Sequence, residues 1–254
     1  MRNVLAIAGK ELRAYFASPI AYVVIGFFAL IYGYFFYLIL AFFNRQSMQM
    51  SMGMGGSMNI NQQLIAPVWQ NVMVVLLFLM PMITMRTYSE EKRTGTMELL
   101  LTSPLTDTQI IFGKFLGAMG LYATMIAVTL IHTGLLFLYG NPEWKPVLTA
   151  YLGLLLMGGC FISVGLLISS MTRNQIVAGT ITFAVFLLLW VIGWIGSFVG
   201  PTAQSVLAHL SLTDHFDDFM KGVLDTKHII YYVSFIGFGL FLTAKAVDSE
   251  RWRG

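Results

Sequence analysis

The chain has 254 residues, of which 57% are hydrophobic and only 11% charged, and its formal net charge is +3 at pH 7. An ordinary soluble domain has about 45–50% apolar and about 25% charged residues, so this composition excludes a typical water-soluble protein. The small, dispersed charge also argues against nucleic acid as a partner. We therefore expect lipid to be the solvent for much of the surface.

Residues 1–18 predict an amphipathic helix that lies in the membrane interface. At 100° per residue, apolar side chains share one face and polar side chains the other. The apolar face comprises Val4, Leu5, Ala8, Leu12, Tyr15 and Phe16, and the polar face comprises Arg2, Asn3, Lys10 and Arg13. Pro19 permits a bend before the next helix. The alternative is a short cytoplasmic extension of the first span.

Six apolar segments are long enough, or nearly long enough, to cross a bilayer as helices, which takes about 20 residues. These predicted spans are residues 20–43, 67–85, 110–139, 147–171, 175–199 and 229–244. The last is short, but Lys227 and Lys245 flank it and can extend their ammonium groups to the two interfaces. The sequence therefore predicts an all-α polytopic membrane protein with one membrane domain over residues 1–254.

The positive charges predict that both termini are cytoplasmic. In that orientation eleven of the 15 Lys and Arg residues are inside and four are outside, which is the asymmetry typical of membrane proteins. The inside group is Arg2, Lys10, Arg13, Arg86, Lys92, Arg93, Lys114, Arg173, Lys245, Arg251 and Arg253, and the outside group is Arg45, Lys145, Lys221 and Lys227.

An external loop after the first span is rich in methionine, at Met48, Met50, Met52 and Met54. Thioether sulfurs bind soft ions such as Cu(I), so a metal site is one interpretation. Glycine and serine between the methionines disfavour an ordered site. We therefore favour a flexible loop that contacts a partner or lipid, and we expect no metal or cofactor bound to this chain.

The charged segment 86–109 links the second and third spans. Gly95 predicts a turn, residues 96–101 predict a short helix that ends before Pro104, and Thr106 with Gln109 predicts a capped helix start near Asp107. A rigid element attached to two spans can transmit motion from a cytoplasmic partner. A solvated connector is the alternative, since charge runs usually face solvent.

Two residues within the spans are candidates to line a pathway. Pro81 in the second span frees a backbone carbonyl, and His132 is an ionisable group in the third span. Both have simpler explanations, because proline kinks are common in membrane helices and a neutral histidine can hydrogen-bond a neighbouring helix. Glycines at 153, 158, 159 and 165 of the fourth span predict close helix packing.

Acidic and histidine residues are concentrated in the predicted external segment 200–228, at Asp214, His215, Asp217, Asp218, Asp225 and His228. Apolar residues alternate with them, which favours amphipathic helices that cap the external mouth. A catalytic site is disfavoured because no nucleophile with a base and an orienting group is present in the pattern.

Several separated motifs resemble the permeases of type-2 ABC transporters, closest to the gliding-motility-type permease subunits. They are Thr-Met-Arg at 84–86, Tyr-Ser-Glu-Glu-Lys-Arg-Thr-Gly-Thr-Met-Glu-Leu-Leu at 88–100, Leu-Thr-Ser-Pro-Leu at 101–105, Gly-Lys at 113–114, Thr-Arg-Asn-Gln at 172–175, His-Phe-Asp-Asp-Phe at 215–219 and Lys-Gly-Val at 221–223. The resemblance extends along most of the chain.

The resemblance implies that segment 86–109 holds the coupling helix, which docks on a separate ATPase. The residues assigned to this role are Glu90, Glu91, Lys92, Arg93, Gly95 and Glu98. It also implies a dimer of permeases, homo- or heteromeric, with two ATP-binding subunits, and a substrate route between the second and fifth spans of the two protomers.

No phosphate-loop motif is present, since the Gly-Lys pairs at 9–10 and 113–114 lack the upstream glycine and the following Ser or Thr. We therefore expect no enzyme activity in this chain, and ATP and Mg²⁺ to bind the partner ATPase. The predicted function is an exporter-type permease of the bacterial inner membrane, surrounded by lipid. The alternative is a non-transporting ABC component that performs mechanical work on envelope or motility machinery.

Overall fold

The computed structural model describes residues 1–53, 59–102, 104–196 and 198–251. Within these ranges six helices are long and apolar enough to cross a membrane, which confirms the all-α, six-span prediction. The helices, in chain order, are α1 (Arg2–Ala17), α2 (Pro19–Gly53), α3 (Ala66–Thr84), α4 (Ser89–Thr94), α5 (Thr96–Leu101), α6 (Asp107–Ala127), α7 (Thr129–Tyr139), α8 (Trp144–Met171), α9 (Gln175–Gly196), α10 (Pro201–Leu210), α11 (Leu212–Met220) and α12 (Thr226–Arg251). A π-helical turn, Asn61–Ile65, precedes α3.

Two helices extend well past their predicted spans. Helix α2 continues to Gly53, where the sequence predicted a loop after residue 43. The added residues include Arg, Gln and Met, which are good helix formers although they end the apolar run. Helix α12 has 26 residues, against 16 predicted for 229–244, and is about 39 Å long. Hydropathy identifies only the part of a helix that can contact lipid. The backbone hydrogen bonds of the same helix can continue into the aqueous region, so the helix is longer than its apolar segment.

The third span consists of two helices, because α6 ends at Ala127 and α7 begins at Thr129. The Thr129 hydroxyl donates to the carbonyl of Ile126 at 2.6 Å and lies 2.8 Å from the hydroxyl of Tyr151 in α8. A threonine that bonds to the preceding turn competes with the helical backbone pattern. This interaction accounts for the local break.

Helices α3 and α8 form the centre of the bundle. About two-thirds of the apolar window in the span containing α3 is buried, and 72% of that in α8, against 22% in α2, α9 and α12. The glycines of α8 allow this packing, since each faces a different neighbour: Gly153 faces Phe216 and Phe219 of α11, Gly158 faces Tyr122 of α6, Gly159 faces Ile236 of α12, and Gly165 faces Thr84 of α3. Small residues permit close approach of membrane helices.

Helix α1 packs along α6, and the contacts run in the same direction on both helices. Asn3 lies beside Gln109, Ile7 against Gly113, and Glu11 against Gly117. The buried stripe therefore follows Ile7, Glu11 and Tyr15. Of the predicted apolar face, Leu5 is 66% exposed, as contact with lipid requires, whereas Ile7, which that face omitted, is buried against α6. The glycines of α6 determine which face of α1 packs against it. The helical period of α1 alone cannot identify that face, because the glycines lie in a different helix.

Candidate functional site

Residues 85–106 connect α3 to α6, and we call this charged segment the link. A buried ion cluster joins the link to α1 and α6. Lys114 Nζ donates to Glu11 Oε1 at 3.0 Å, to Glu91 Oε1 at 2.8 Å and to the carbonyl of Thr87 at 2.9 Å. Only 1% of the Lys114 side chain is exposed, against 13% for Glu11 and 17% for Glu91. We call Lys114, Glu11, Glu91 and Thr87 the Lys114 junction.

The backbone of α6 makes the Lys114 junction possible. A Cβ atom at Gly113 would lie 2.6 Å from Ile7 Cβ, and one at Gly117 would lie 2.6 Å from Glu11 Cβ. Glycine at these two positions lets α1 come close enough for Glu11 to reach Lys114. A buried ammonium group is costly unless it is paired and hydrogen-bonded, so the three acceptors fix the position of the link relative to α1 and α6.

Tyr15 provides a second connection between α1 and the link. Its hydroxyl donates to the carbonyl of Ile83 at 2.8 Å and lies 3.3 Å from Thr87 Oγ1. Burial raises the pKa of Tyr15 to about 12, so the hydroxyl remains a donor at neutral pH. Nearby, Arg86 pairs with Glu90 at 2.8 Å. Helix α1 is thus tied to both ends of the turn between α3 and α4.

Ser169 of α8 satisfies the backbone where the chain leaves α3. Its hydroxyl accepts from the amides of Tyr88 and Ser89 at 3.0 and 3.1 Å, and it donates to the carbonyl of Met85 at 3.0 Å. The two amides are buried and lie outside regular helical bonding, so they need partners. Ser169 therefore anchors the start of the link on the central helix.

The six residues predicted for coupling divide into two groups. Glu90, Glu91 and Lys92 form ion pairs within the chain, with Arg86, Lys114 and Glu250. Arg93, Gly95 and Glu98 are exposed, together with Leu99, of which 72% is exposed. Gly95 has φ +74° and separates α4 from α5, as the predicted turn requires, and Met97 packs inward. We call Arg93, Gly95, Glu98 and Leu99 the exposed tip.

Lys92 connects the link to the end of α12. Its Nζ lies 2.6 Å from Glu250 Oε1, with 2% of the Lys92 side chain and 33% of the Glu250 side chain exposed. Glu250→Gln leaves this buried ammonium without its carboxylate. We expect the free energy of unfolding in detergent to fall by about 2 kcal/mol, less than for a fully buried pair because Glu250 is partly solvated.

The matched control for that prediction is Asp248→Asn on the same helix. Asp248 lies 4.0 Å from Lys245, and both side chains are largely exposed. An exposed pair contributes about 0–1 kcal/mol, so this variant should unfold nearly as the wild type does. Equal stability of the two variants would show that the Lys92 pair does not hold α12 to the link.

A cleft of about 280 Å³ lies between α1 and the link. Its charged lining consists of Lys10, Glu11, Arg86, Glu90 and Glu91. The near balance of charge in this lining suits the charged side chains of a protein partner better than an apolar substrate.

Pro81 and His132 lie far apart along the bundle, and their role in lining a pathway stays a prediction. Pro81 is buried in α3 near the end that joins the link. The His132 ring packs edge-on against Tyr32, with ring centres 5.1 Å apart, and Tyr32 also contacts Trp69 near the start of α3. Trp69 and Pro81 are 12 residues apart in α3, or about 18 Å. Among the described residues, His132 Nδ1 is buried without a hydrogen-bond partner.

The methionine hypothesis falls mostly outside the described residues. Met48 lies in α2 and is 65% exposed. The side chains of Met50 and Met52, and the whole of Met54, lie outside the described part of the chain. Ser103 of the predicted motif also lies outside it. A soft-metal site therefore stays a prediction.

Sequence reasoning missed the partners of the charged link: Glu11, Ser169 and Glu250. One signal was available, because Lys114 lies in an otherwise apolar helix and a buried ammonium group requires a counter-charge. The pattern could not identify that partner, since Glu11 is 103 residues away. Thr106 and Gln109, by contrast, form the predicted capping box at the start of α6.

Comparisons with known proteins agree with the motif resemblance. The model of the family described as "ABC-2 family transporter protein" matches residues 5–243. The "Probable multidrug ABC transporter permease YbhR" of Escherichia coli K12 is 28% identical over 148 residues, and its counterpart from Escherichia coli O157:H7 gives the same values. The match covers 56% of this chain and 38% of each relative.

Proposed function

Because the chain belongs to the ABC-2 family of transporter proteins, we propose that it is the membrane-spanning permease subunit of an ATP-driven exporter. The ATPase is a separate polypeptide that binds ATP and Mg²⁺. The permease works as a dimer with two ATP-binding subunits in the bacterial inner membrane, with both termini on the cytoplasmic side. The positive charges of the sequence support this orientation.

The architecture of the link supports the proposal most strongly. The base of the link is fixed by the Lys114 junction, by Ser169 and by the Lys92 pair, whereas the exposed tip presents an apolar and two charged side chains to solvent. An exposed leucine with charged neighbours is suited to a protein interface that has an apolar centre and a polar rim. Displacement of the tip would move α1, α6 and α12 together.

In this mechanism, ATP binding draws the two ATPase subunits together and shifts the docked links. The links pass the displacement to α1 and α6, so the membrane helices exchange between two arrangements. A bound nucleotide shifts this equilibrium only if the ATPase contacts the two permease states with different free energies. A base held by buried ion pairs transmits motion with less loss than a flexible loop.

By the family resemblance, the substrate route lies between the second and fifth spans, α3 and α9, of the two protomers, and these two helices also contact each other within one protomer. A cleft of about 430 Å³ opens there beside α11 and is lined in part by Gln70, Asn71, Trp190, Asp214 and Asp217. Its aromatic and polar walls suit amphipathic molecules. Since the relatives are named as probable multidrug permeases, amphipathic drug-like compounds are the first substrates to test.

The test is substitution at the exposed tip. Leu99→Asp should reduce the amount of ATPase that co-purifies with the tagged chain from native membranes by at least about tenfold, because a charge in the apolar centre of an interface costs about 1.4 kcal/mol or more. Thermal unfolding of the isolated chain should not change, since Leu99 is 72% exposed. ATP hydrolysis by the purified complex should fall in parallel.

Leu210→Asp is the matched control, because Leu210 is 52% exposed in α10, in the segment predicted to be external. It should retain the ATPase. Wild-type recovery of the ATPase with Leu99→Asp would refute docking through the tip. Purification of the intact chain without a phosphate-loop ATPase, under conditions that preserve complexes, would refute the proposed function.

A further inference from the structure

Two buried histidines of the segment 200–228 and its junction with α12 contact each other directly. His215 Nδ1 lies 2.6 Å from His228 Nδ1. His228 Nε2 lies 2.8 Å from Asp218 Oδ2, and His215 Nε2 lies 3.3 Å from the carbonyl oxygen of His209. These three contacts form one chain of hydrogen bonds. It runs from Asp218 of α11 to His228 of α12, then to His215 of α11, and ends at the carbonyl of His209 in α10.

The contacts determine how many protons the two rings hold. A carbonyl oxygen and a carboxylate only accept hydrogen bonds, so both Nε2 atoms must carry a proton. The contact between the two Nδ1 atoms needs one further proton. Two neutral imidazoles hold two protons, whereas this arrangement needs three. One of the two rings is therefore an imidazolium when all three hydrogen bonds are made.

The surroundings indicate which ring is charged. Burial lowers the pKa of His215, which favours its neutral form. The hydrogen bond from His228 lowers the pKa of Asp218, so this carboxyl group is ionised at neutral pH. The charged ring is then His228, beside the carboxylate of Asp218, and the neutral His215 accepts through Nδ1.

The 2.6 Å separation excludes a metal ion between the two Nδ1 atoms. Zinc bound to two imidazole nitrogens at about 2.0–2.1 Å in tetrahedral geometry holds them more than about 3 Å apart. No group of three or more metal-binding His, Cys, Asp or Glu side chains occurs in the described part of the chain. The geometry fits a shared proton.

We propose that His215 and His228 form a proton-binding site whose additional proton, balanced by Asp218, holds α10, α11 and α12 together. We call His215, His228 and Asp218 the histidine latch. The proposal concerns the segment 200–228 and does not depend on the presence of an ATPase.

Other ionisable groups face the latch from each element packed around it. They are His209 of α10, Asp214 and Lys221 of α11, Asp225 before α12, Lys227, Tyr231 and Tyr232 of α12, and Cys160 of α8, which contacts Tyr232. Lys227 pairs with Asp225 at 3.0 Å, and Lys221 lies 3.7 Å from Asp218. Asp214 remains as a negative neighbour of His215, which favours the additional proton.

The sign of the pH dependence follows from the proton count. When the third proton leaves, two nitrogen lone pairs face each other at 2.6 Å, or an Nε2 lone pair faces an oxygen. The latch is therefore complete at lower pH and is lost as pH rises through its titration. Because the pKa of Asp218 is lowered, protonation of Asp218 weakens the latch only in more acidic solution.

Nitrogen NMR of the full chain, labelled with ¹⁵N-histidine in detergent micelles, tests the proton count. The chain has four histidines, and His132→Asn and His209→Gln assign the two outside the latch. In mildly acidic buffer we expect one doubly protonated ring and one neutral ring with its proton on Nε2. Both rings should change together in one step as pH rises.

Two neutral latch rings at a pH where the exposed His209 is protonated would overturn the proposal, as would independent titration of the two rings. Asp218→Asn should lower the titration midpoint of the pair by about one pH unit or more, because it removes an opposite charge in direct contact. Asp225→Asn removes a nearby, exposed carboxylate already bound to Lys227 and should shift the midpoint much less.

Amide hydrogen exchange tests whether the proton holds the helices together. After correction for intrinsic rates, amides of α10 and α11 should exchange faster above the titration midpoint than below it, relative to amides of α8. His228→Asn should abolish this difference. Equal protection of α10 and α11 on both sides of the midpoint in the wild type would show that the proton has no structural effect.

Discussion

Lys114→Met should lower the free energy of unfolding in detergent by about 3 kcal/mol, because it leaves two largely buried carboxylates without their ammonium partner. Removing one partner of a buried ion pair costs about 3–5 kcal/mol. The lower end applies because Glu11 and Glu91 retain 13% and 17% exposure. Denaturant titration followed by tryptophan fluorescence, with thermal unfolding as a second probe, measures the change.

Lys10→Met is the matched control for Lys114. Lys10 lies 3.9 Å from the same two carboxylates, but its side chain is 66% exposed. Its removal should cost less than about 1 kcal/mol. Adding Glu91→Gln to Lys114→Met should restore part of the loss, since one unpaired charge is then removed. Equal effects of the two lysine variants would show that the junction is not a buried ionic anchor.

Gly158→Ala should destabilise the chain by about 2–3 kcal/mol, because the added methyl group overlaps the ring of Tyr122. The ring is fully buried and its hydroxyl donates to the carbonyl of Leu154 at 2.8 Å. The ring cannot move aside without losing this bond. Overpacking of a core typically costs about 1–3 kcal/mol, and the fixed position of the ring places this site at the upper end.

Gly134→Ala in α7 is the control, since a Cβ there meets nothing within 4 Å. The higher helix propensity of alanine should leave stability unchanged or raise it by up to about 1 kcal/mol. Combining Gly158→Ala with Tyr122→Leu should cost less than the sum of the single changes, because the smaller side chain vacates the space. Similar behaviour of both glycine variants would contradict the proposed close packing of α6 on α8.

The ion pairs change how the charged link is to be tested by mutation. On the sequence alone, charge reversal at Glu90 and Glu91 would be the direct test of coupling, because both residues are assigned to the coupling helix. Because Glu90 pairs with Arg86 and Glu91 with Lys114, that double variant disturbs the base of the link. Loss of coupling in that variant could then result either from a displaced link or from lost contact between the link and the ATPase. Arg93, Glu98 and Leu99 are better probes, since their side chains are exposed.

Much of the fold could be predicted because it depends on local properties of the chain. Apolar segments near bilayer length predicted six spans, Gly95 predicted a turn, which the structure places at φ +74°, and Thr106 with Gln109 predicted the start of α6. Helix ends were less predictable. The extension of α2 to Gly53 and the break at Val128 depend on helix formers beyond the apolar run and on Thr129 bonding within α6 and to α8.

The sequence by itself thus determined that this chain crosses a membrane, where its charged link lies and which family it resembles. Only the tertiary structure decided which charged residues are anchors and which are exposed. Glu11 reaches Lys114 across 103 positions because two glycines of α6 admit α1, and Lys92 reaches Glu250 because α12 ends beside the link. Helical periodicity predicts which residues of one helix share a face. The pairing of distant charges depends on how closely separate helices approach.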